Sequence, residues 1–149
     1  MSLETKTYQL YMKEALKQAK KAYDEDEIPV GAIILCNNKI IARGYNQMEK
    51  LSDATAHAEM IAITSAQNSL GSKYLNECEL YVTLEPCMMC SGAIFLSKVK
   101  KVVYALDDRE RGHIHKSKES TNKKLVVVGN ILENDSKTLI DSFFRKIRK

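Results

Sequence analysis

Apolar residues recur at helical spacing in the first part of the chain and in short, strand-length runs after it. From Thr7 to about Asp24, Leu10, Ala15, Leu16, Ala19 and Ala22 fall near one face, which predicts an amphipathic helix. Ile28-Pro29 stops it. Val30 to Cys36 is nearly all apolar and too short for a buried helix, so it reads as a strand. Asn37-Asn38 is a two-residue turn signal, and Lys39 to Asn46 returns as the hairpin partner. After a polar loop, Thr55/Ala56 opens a helix through about Asn68, and Gly71 ends that region. Leu80–Leu84 reads as a strand, and Pro86 suits the first turn of a helix running to about Ser97. Val99 to Leu106 is again a strand. Asp107 to Asn122 has no clear period and is expected to be a long polar loop. Leu125–Val128 reads as a last strand, and Asp135 to Arg148 as a last helix with Leu139, Ile140, Phe143 and Phe144 on its apolar side.

Strands and helices that alternate after an opening hairpin imply an α/β domain, residues 1–149, with a mixed sheet covered by helices on both faces. Binding sites in such sheets collect at the C-terminal ends of strands. The two motifs with candidate chemistry both lie there.

Composition changes the picture little: 149 residues, 44% hydrophobic and 28% charged, are ordinary for a globular protein. The longest apolar runs are too short to span a bilayer. The first residues, MSLETKTYQLYMKEALKQAKK, carry no apolar core of signal-peptide type, so a cytoplasmic location is expected. In that reducing compartment the four cysteines favour metal or redox chemistry over structural disulfides. Charge is uneven. Residues 1–97 carry 9 Lys/Arg against 12 Asp/Glu, and residues 98–149 carry 14 against 7. A basic half suits a polyanion such as nucleic acid, but on charge alone a solvated surface is the favoured reading.

Two of the cysteines stand in Thr83-Leu84-Glu85-Pro86-Cys87-Met88-Met89-Cys90. At i and i+3 of a helix start their sulfurs share a face, and the helix dipole favours thiolates. That spacing alone fits zinc or thiol–disulfide exchange. A third ligand candidate exists in Thr55-Ala56-His57-Ala58-Glu59, also at a predicted helix start. One imidazole and two thiolates form a known zinc set, and a catalytic site leaves the fourth position open. His57, Cys87 and Cys90 are thus the candidate ligands. Glu59 is the candidate carboxylate that takes a proton from water and returns it to a departing amine. The combined order H-x-E…P-C-x-x-C is the known signature of zinc nucleobase deaminases, and this assignment applies that pattern. The competing reading is a structural zinc site completed by Cys36, Cys78, His113 or His115, which leaves Glu59 without a use. Cys36 and Cys78 otherwise read as small core residues, His113 and His115 as solvated loop residues, and Glu85 as a strand-end hydrogen-bond partner. Met88, Met89 and Phe95 sit near the site, and core packing explains them as well.

The likeness extends beyond the signature. IPVGAIIL (28–35), Gly44-Tyr45-Asn46, DATAHAEMIAI (53–63), LYVTLEPCMMCSGAI (80–94), VVYALDD (102–108) and DSFFRKIRK (141–149) resemble bacterial tRNA-specific adenosine deaminases. The resemblance runs from about residue 7 to the end. It implies a three-layer α/β/α, cytidine deaminase-like fold with a five-stranded mixed sheet, and a homodimer. It also implies one Zn²⁺ per subunit and conversion of the wobble adenosine of a tRNA anticodon loop to inosine. By position, His57, Cys87 and Cys90 match the zinc ligands and Glu59 the proton shuttle. Asn46 and the backbone N–H of Ala58 match groups that hold the flipped base, and Asp107 and Asp108 match positions near the RNA. Phe144, Arg145 and Arg148 are candidate RNA contacts, though the basic residues also suit a helix C-terminus. The chain departs from the family's usual pattern at Ala54, where proline is usual. It departs again in RGHIHKSKESTNKK (111–124), where a Gly/Ala-rich stretch is typical. The alternative within the same chemistry is a deaminase of free guanine, cytosine or a nucleoside, which needs no basic half.

Overall fold

The computed structural model describes residues 1–148; Lys149 of the basic C-terminal run lies outside them. The elements run in the order α1 (Leu3–Asp24), β1 (Gly31–Cys36), β2 (Lys39–Tyr45), α2 (Met48–Leu51), α3 (Ala58–Leu70), β3 (Cys78–Leu84), α4 (Met88–Ser97), β4 (Lys101–Leu106), α5 (Ile114–Thr121), β5 (Val126–Val128) and α6 (Glu133–Ile147). The strands form one mixed sheet in the order β2-β1-β3-β4-β5. β1 is antiparallel to β2 and β3, and β3, β4 and β5 run parallel. The β1–β2 hairpin turns at Asn37 and Asn38, both in the left-handed region that a two-residue turn of this kind requires.

Side chains alternate across the pleat, and this alternation divides the core in two. Ile33, Leu35, Tyr81, Val103 and Ala105 pack with Tyr8, Met12 and Ala15 under α1. Ala32, Ile34, Leu80, Val82 and Val102 pack on the opposite face with residues of α3, α4 and α5. Helices thus cover both faces, giving the expected three layers. α1 can lie close because its inner face is largely alanine, and Gly31 opposes it. A Cβ at Gly31 would fall on the backbone of Ala15 and Ala19.

Several expectations need correction. α1 begins at Leu3, capped by the Ser2 hydroxyl, which accepts the Thr5 N–H at 3.0 Å. Leu10 is 61% exposed, while Tyr8 and Met12 carry the buried stripe. The long polar loop contains a helix, α5, whose Ile114 and Ser117 are buried and pack toward α4. One apolar anchor and a serine are too weak a stripe to stand out in a polar segment. His115 is not merely solvated: its Nε2 lies 3.1 Å from the Tyr104 hydroxyl. Met88 and Phe95 are not core residues, being 70% and 42% exposed. Cys36 and Cys78 face each other across β1 and β3. Burial and the Cys36 contact push the Cys78 thiol up to about 12, consistent with an unreactive packed residue. Among the described residues, no helix is long and apolar enough to cross a membrane.

Candidate active site

Two helix starts deliver the ligand candidates to one point. His57 is the N-cap of α3 and Cys87 the N-cap of α4, both with extended backbone, and Cys90 lies within the first turn of α4. Extended backbone at a cap aims the side chain beyond the helix end, so neighbours in sequence need not splay apart. Pro86 stands one residue before the cap instead of inside the first turn. There its carbonyl accepts the His113 N–H at 2.9 Å. Gly44 fixes α3 against β2, since a Cβ there would lie 2.6 Å from the Ala58 carbonyl oxygen and 2.9 Å from the Ala62 nitrogen. That contact sets the start of α3 against Asn46, just past the end of β2. The parallel strands β3 and β4 end at the same place, as do the starts of both helices.

His57 Nδ1 lies 3.7 Å from Cys87 Sγ and 3.5 Å from Cys90 Sγ. A tetrahedral zinc with bonds of about 2.3 Å to sulfur and about 2.0 Å to nitrogen sets such atoms roughly 3.5–3.8 Å apart, so the donors fit the ion. All three donor atoms lie within 4.8 Å of one another, and among the described residues no fourth His, Cys, Asp or Glu joins the group. Cys36, Cys78, His113 and His115 are therefore not ligands here. A three-donor set of this type is the arrangement of a catalytic zinc site.

Without metal, a hydrogen bond from Cys90 draws the Cys87 thiol down to about 3, with His57 adding to the effect against the opposing pull of burial. Cys90 is pushed well up by the same hydrogen bond and by burial. His57 is raised, chiefly by its contact with Cys87. Glu59 is buried in the first turn of α3, and desolvation pushes its carboxyl up to about 7.

These groups open into a cavity of about 220 Å³ whose wall includes Asn46, His57, Glu59, Cys87, Asp108 and Arg111. Asn46 is buried, and its Oδ1 accepts the Ala58 N–H at 2.8 Å. The two groups expected to hold a base therefore bond to each other, which leaves the Asn46 NH₂ to donate elsewhere. Asp108 reaches the cavity. Asp107 does not line it; its carboxylate accepts the Tyr104 hydroxyl at 2.6 Å and an Asn130 N–H at 3.3 Å. Phe144 is half-buried and Arg145 and Arg148 are exposed, all outside the cavity wall. Glu85 is a strand-end partner, accepting the Asp108 N–H at 3.1 Å.

Five wall residues carry no site role in the sequence reading: Ile28, Val30, Met48, Leu84 and Arg111. Ile28 and Val30 immediately precede β1, whose start lies antiparallel beside the end of β3, and that pairing was not visible in either segment alone. Met48 opens α2, and the buried Glu27 carboxylate anchors that helix by accepting the Glu49 and Lys50 N–H groups at 3.0 and 2.8 Å. The position of Arg111 just beyond the C-terminal end of β4 was the one available signal for it.

Fold and site define a zinc-dependent deaminase. Residues 5–106 match the family model of the cytidine and deoxycytidylate deaminase zinc-binding region. A tRNA-specific adenosine deaminase of Bacillus subtilis is 43% identical over 146 residues, covering 95% of this chain and 91% of that protein. A solved structure from studies of A-to-I editing by tRNA:A34 deaminases at the wobble position is 34% identical, with a TM-score of 0.81. It covers 86% of this chain and 96% of its own. The Bacillus subtilis guanine deaminase structure is 35% identical over 82% of this chain and 72% of its own, with a TM-score of 0.63. The chain belongs to the tRNA-specific adenosine deaminase family within that zinc-binding class.

Proposed function

We propose that this protein hydrolyses the 6-amino group of adenosine at the wobble position of a tRNA anticodon, giving inosine and ammonia. The observation that carries the chemistry is the convergence of His57, Cys87 and Cys90 on one point, with His57, Cys87 and buried Glu59 in the wall of one cavity. The substrate follows from likeness to tRNA-specific adenosine deaminases over nearly the whole chain. His57, Cys87 and Cys90 would hold a zinc ion, whose Lewis acidity would make a water nucleophilic at neutral pH. Glu59 would accept a proton from the attacking water as the water oxygen bonds to C6. It then returns the proton to the amine as the C6–N bond breaks and ammonia leaves. A buried carboxylate beside the ligand set is placed to carry the proton in both directions. Asn46, held by the Ala58 N–H, presents its NH₂ to an acceptor on the flipped base; Ala58 acts through Asn46.

The anticodon loop supplies an unpaired base, so a compact enzyme need not open a duplex. Asp108 stands at the cavity wall. Phe144, Arg145 and Arg148 sit on the part of α6 where Lys146 bonds to the Tyr23 carbonyl at 3.2 Å and pairs with Asp26 at 2.9 Å. Asp26 is two residues before Ile28 of the cavity wall, and this link supports an RNA contact by the basic end of α6. Asp107, bonded to Tyr104 and Asn130 outside the cavity wall, is proposed as an RNA contact on the resemblance alone.

Glu59→Ala tests the mechanism. Turnover should fall by at least about 10²–10⁴-fold while zinc content and fold persist. Deamination that survives the change would remove Glu59 from the chemistry. We also propose a homodimer in the cytoplasm, docked partly through α4, where Met88 and Leu96 are 70% and 71% exposed. Leu96→Glu should shift sedimentation toward monomer; an unchanged sedimentation coefficient would move the interface elsewhere.

A further inference from the structure

The cavity has a charge problem for a polyanionic substrate. Its wall holds three carboxylates, Glu59, Glu85 and Asp108, and a nucleotide within RNA brings phosphodiesters to its mouth. Arg111 is the only Lys or Arg in that wall among the described residues. It is exposed, and no carboxylate pairs with it among the described residues.

Its position is built. The Arg111 and Glu110 N–H groups both donate to Asp108 Oδ1, at 3.1 and 3.2 Å, which turns the strap beyond β4 back toward the cavity. The Asp108 N–H donates to Glu85 Oε1 at 3.1 Å, the Gly112 N–H to the Asp108 carbonyl at 2.8 Å, and the His113 N–H to the Pro86 carbonyl at 2.9 Å. Gly112 lies against the Glu85 carboxyl so closely that a Cβ would overlap it. The strap is thus tied to the loop that carries Cys87, and Arg111 is offered at the mouth with its guanidinium unclaimed. Asp108, by contrast, has one carboxylate oxygen committed to the turn.

We propose that Arg111 is a specificity-determining residue that binds a phosphodiester flanking the flipped adenosine. This rests on the RNA-editing reading above. Guanidinium matches the paired oxygens of a phosphodiester, and it offsets the carboxylates that would otherwise repel the strand. A free base or nucleoside lacks that phosphate, so Arg111 separates polynucleotide from small-molecule substrates.

The test is a cycle on zinc-loaded protein with an anticodon stem-loop. Wild type and Arg111→Ala are each assayed on RNA with natural linkages, and on RNA with an uncharged methylphosphonate at one linkage or the other beside the wobble adenosine. With wild type, one of the two replacements should lower kcat/KM about tenfold or more, and Arg111→Ala should cost a similar factor on natural RNA. Together they should cost no more than either alone, because both remove one contact. The log–log salt dependence of RNA binding should flatten by about 0.7 in the variant. Zinc content and circular dichroism of the variant show whether it is folded, and Arg111→Lys should recover part of the loss. Losses that multiply independently at both linkages would overturn the assignment of Arg111. Failure of wild type to deaminate the natural stem-loop would instead overturn the RNA-editing reading.

Discussion

Glu59 and the three metal ligands form a set whose protons are interdependent. In the metal-free protein the hydrogen bond from Cys90 favours the thiolate form of Cys87, and the same bond with burial favours the protonated form of Cys90. Zinc binds thiolates and neutral imidazole, so uptake must expel the Cys90 proton, and any held by His57. Zinc binding at pH 7 should release at least about one proton per site, and affinity should rise with pH. Titration of apoprotein with zinc in weak buffer beside an indicator dye measures this. Uptake without proton release would mean that Cys90 is not a ligand. These residues were readable from sequence because each half of the site is one contiguous motif at a helix start. Arg111 and Glu27 were not, since their significance comes from where separate segments meet: a strap on the Cys87 loop, and a carboxylate under α2.

Elements read well where an apolar stripe or a turn signal is strong. The hairpin turn at Asn37-Asn38, the four longer strands and α3 fall close to where the pattern placed them. α1 was placed and Ala15, Ala19 and Ala22 of its stripe are buried, but Leu10 is exposed and Tyr8 and Met12 carry the stripe at that end. A helix rich in alanine leaves the face ambiguous until its partner strand is known. α5 was missed because Ile114 is its only buried large apolar residue. Its importance can be measured. Ile114→Ala should destabilise the protein by about 2–4 kcal/mol in chemical denaturation, because the site is fully buried and packed against the core cluster beneath α4. A change under about 0.5 kcal/mol would mean that α5 contributes little to the fold. Because α5 follows the strap bound to Pro86, its loss should also loosen the cavity mouth.

For the whole molecule, a three-layer sheet brings the starts of α3 and α4 to the ends of β3 and β4, and the zinc site is the product of that convergence. The sequence carried the layer architecture through its alternation of elements, but not the strand order, which depends on nonlocal pairing. Charge is also a property of this scale. The basic second half gives the protein long-range attraction for a polyanion, while the cavity itself is acidic apart from Arg111 and His57. Those opposed fields suit a substrate that is held by its backbone and read as one neutral base. The most direct measurement is deamination by zinc-loaded protein, with an anticodon stem-loop bearing a wobble adenosine assayed beside free adenosine, guanine and cytosine. The account predicts inosine at the wobble position and no turnover of the free compounds. Turnover of a free base or nucleoside, with the stem-loop untouched, would contradict it.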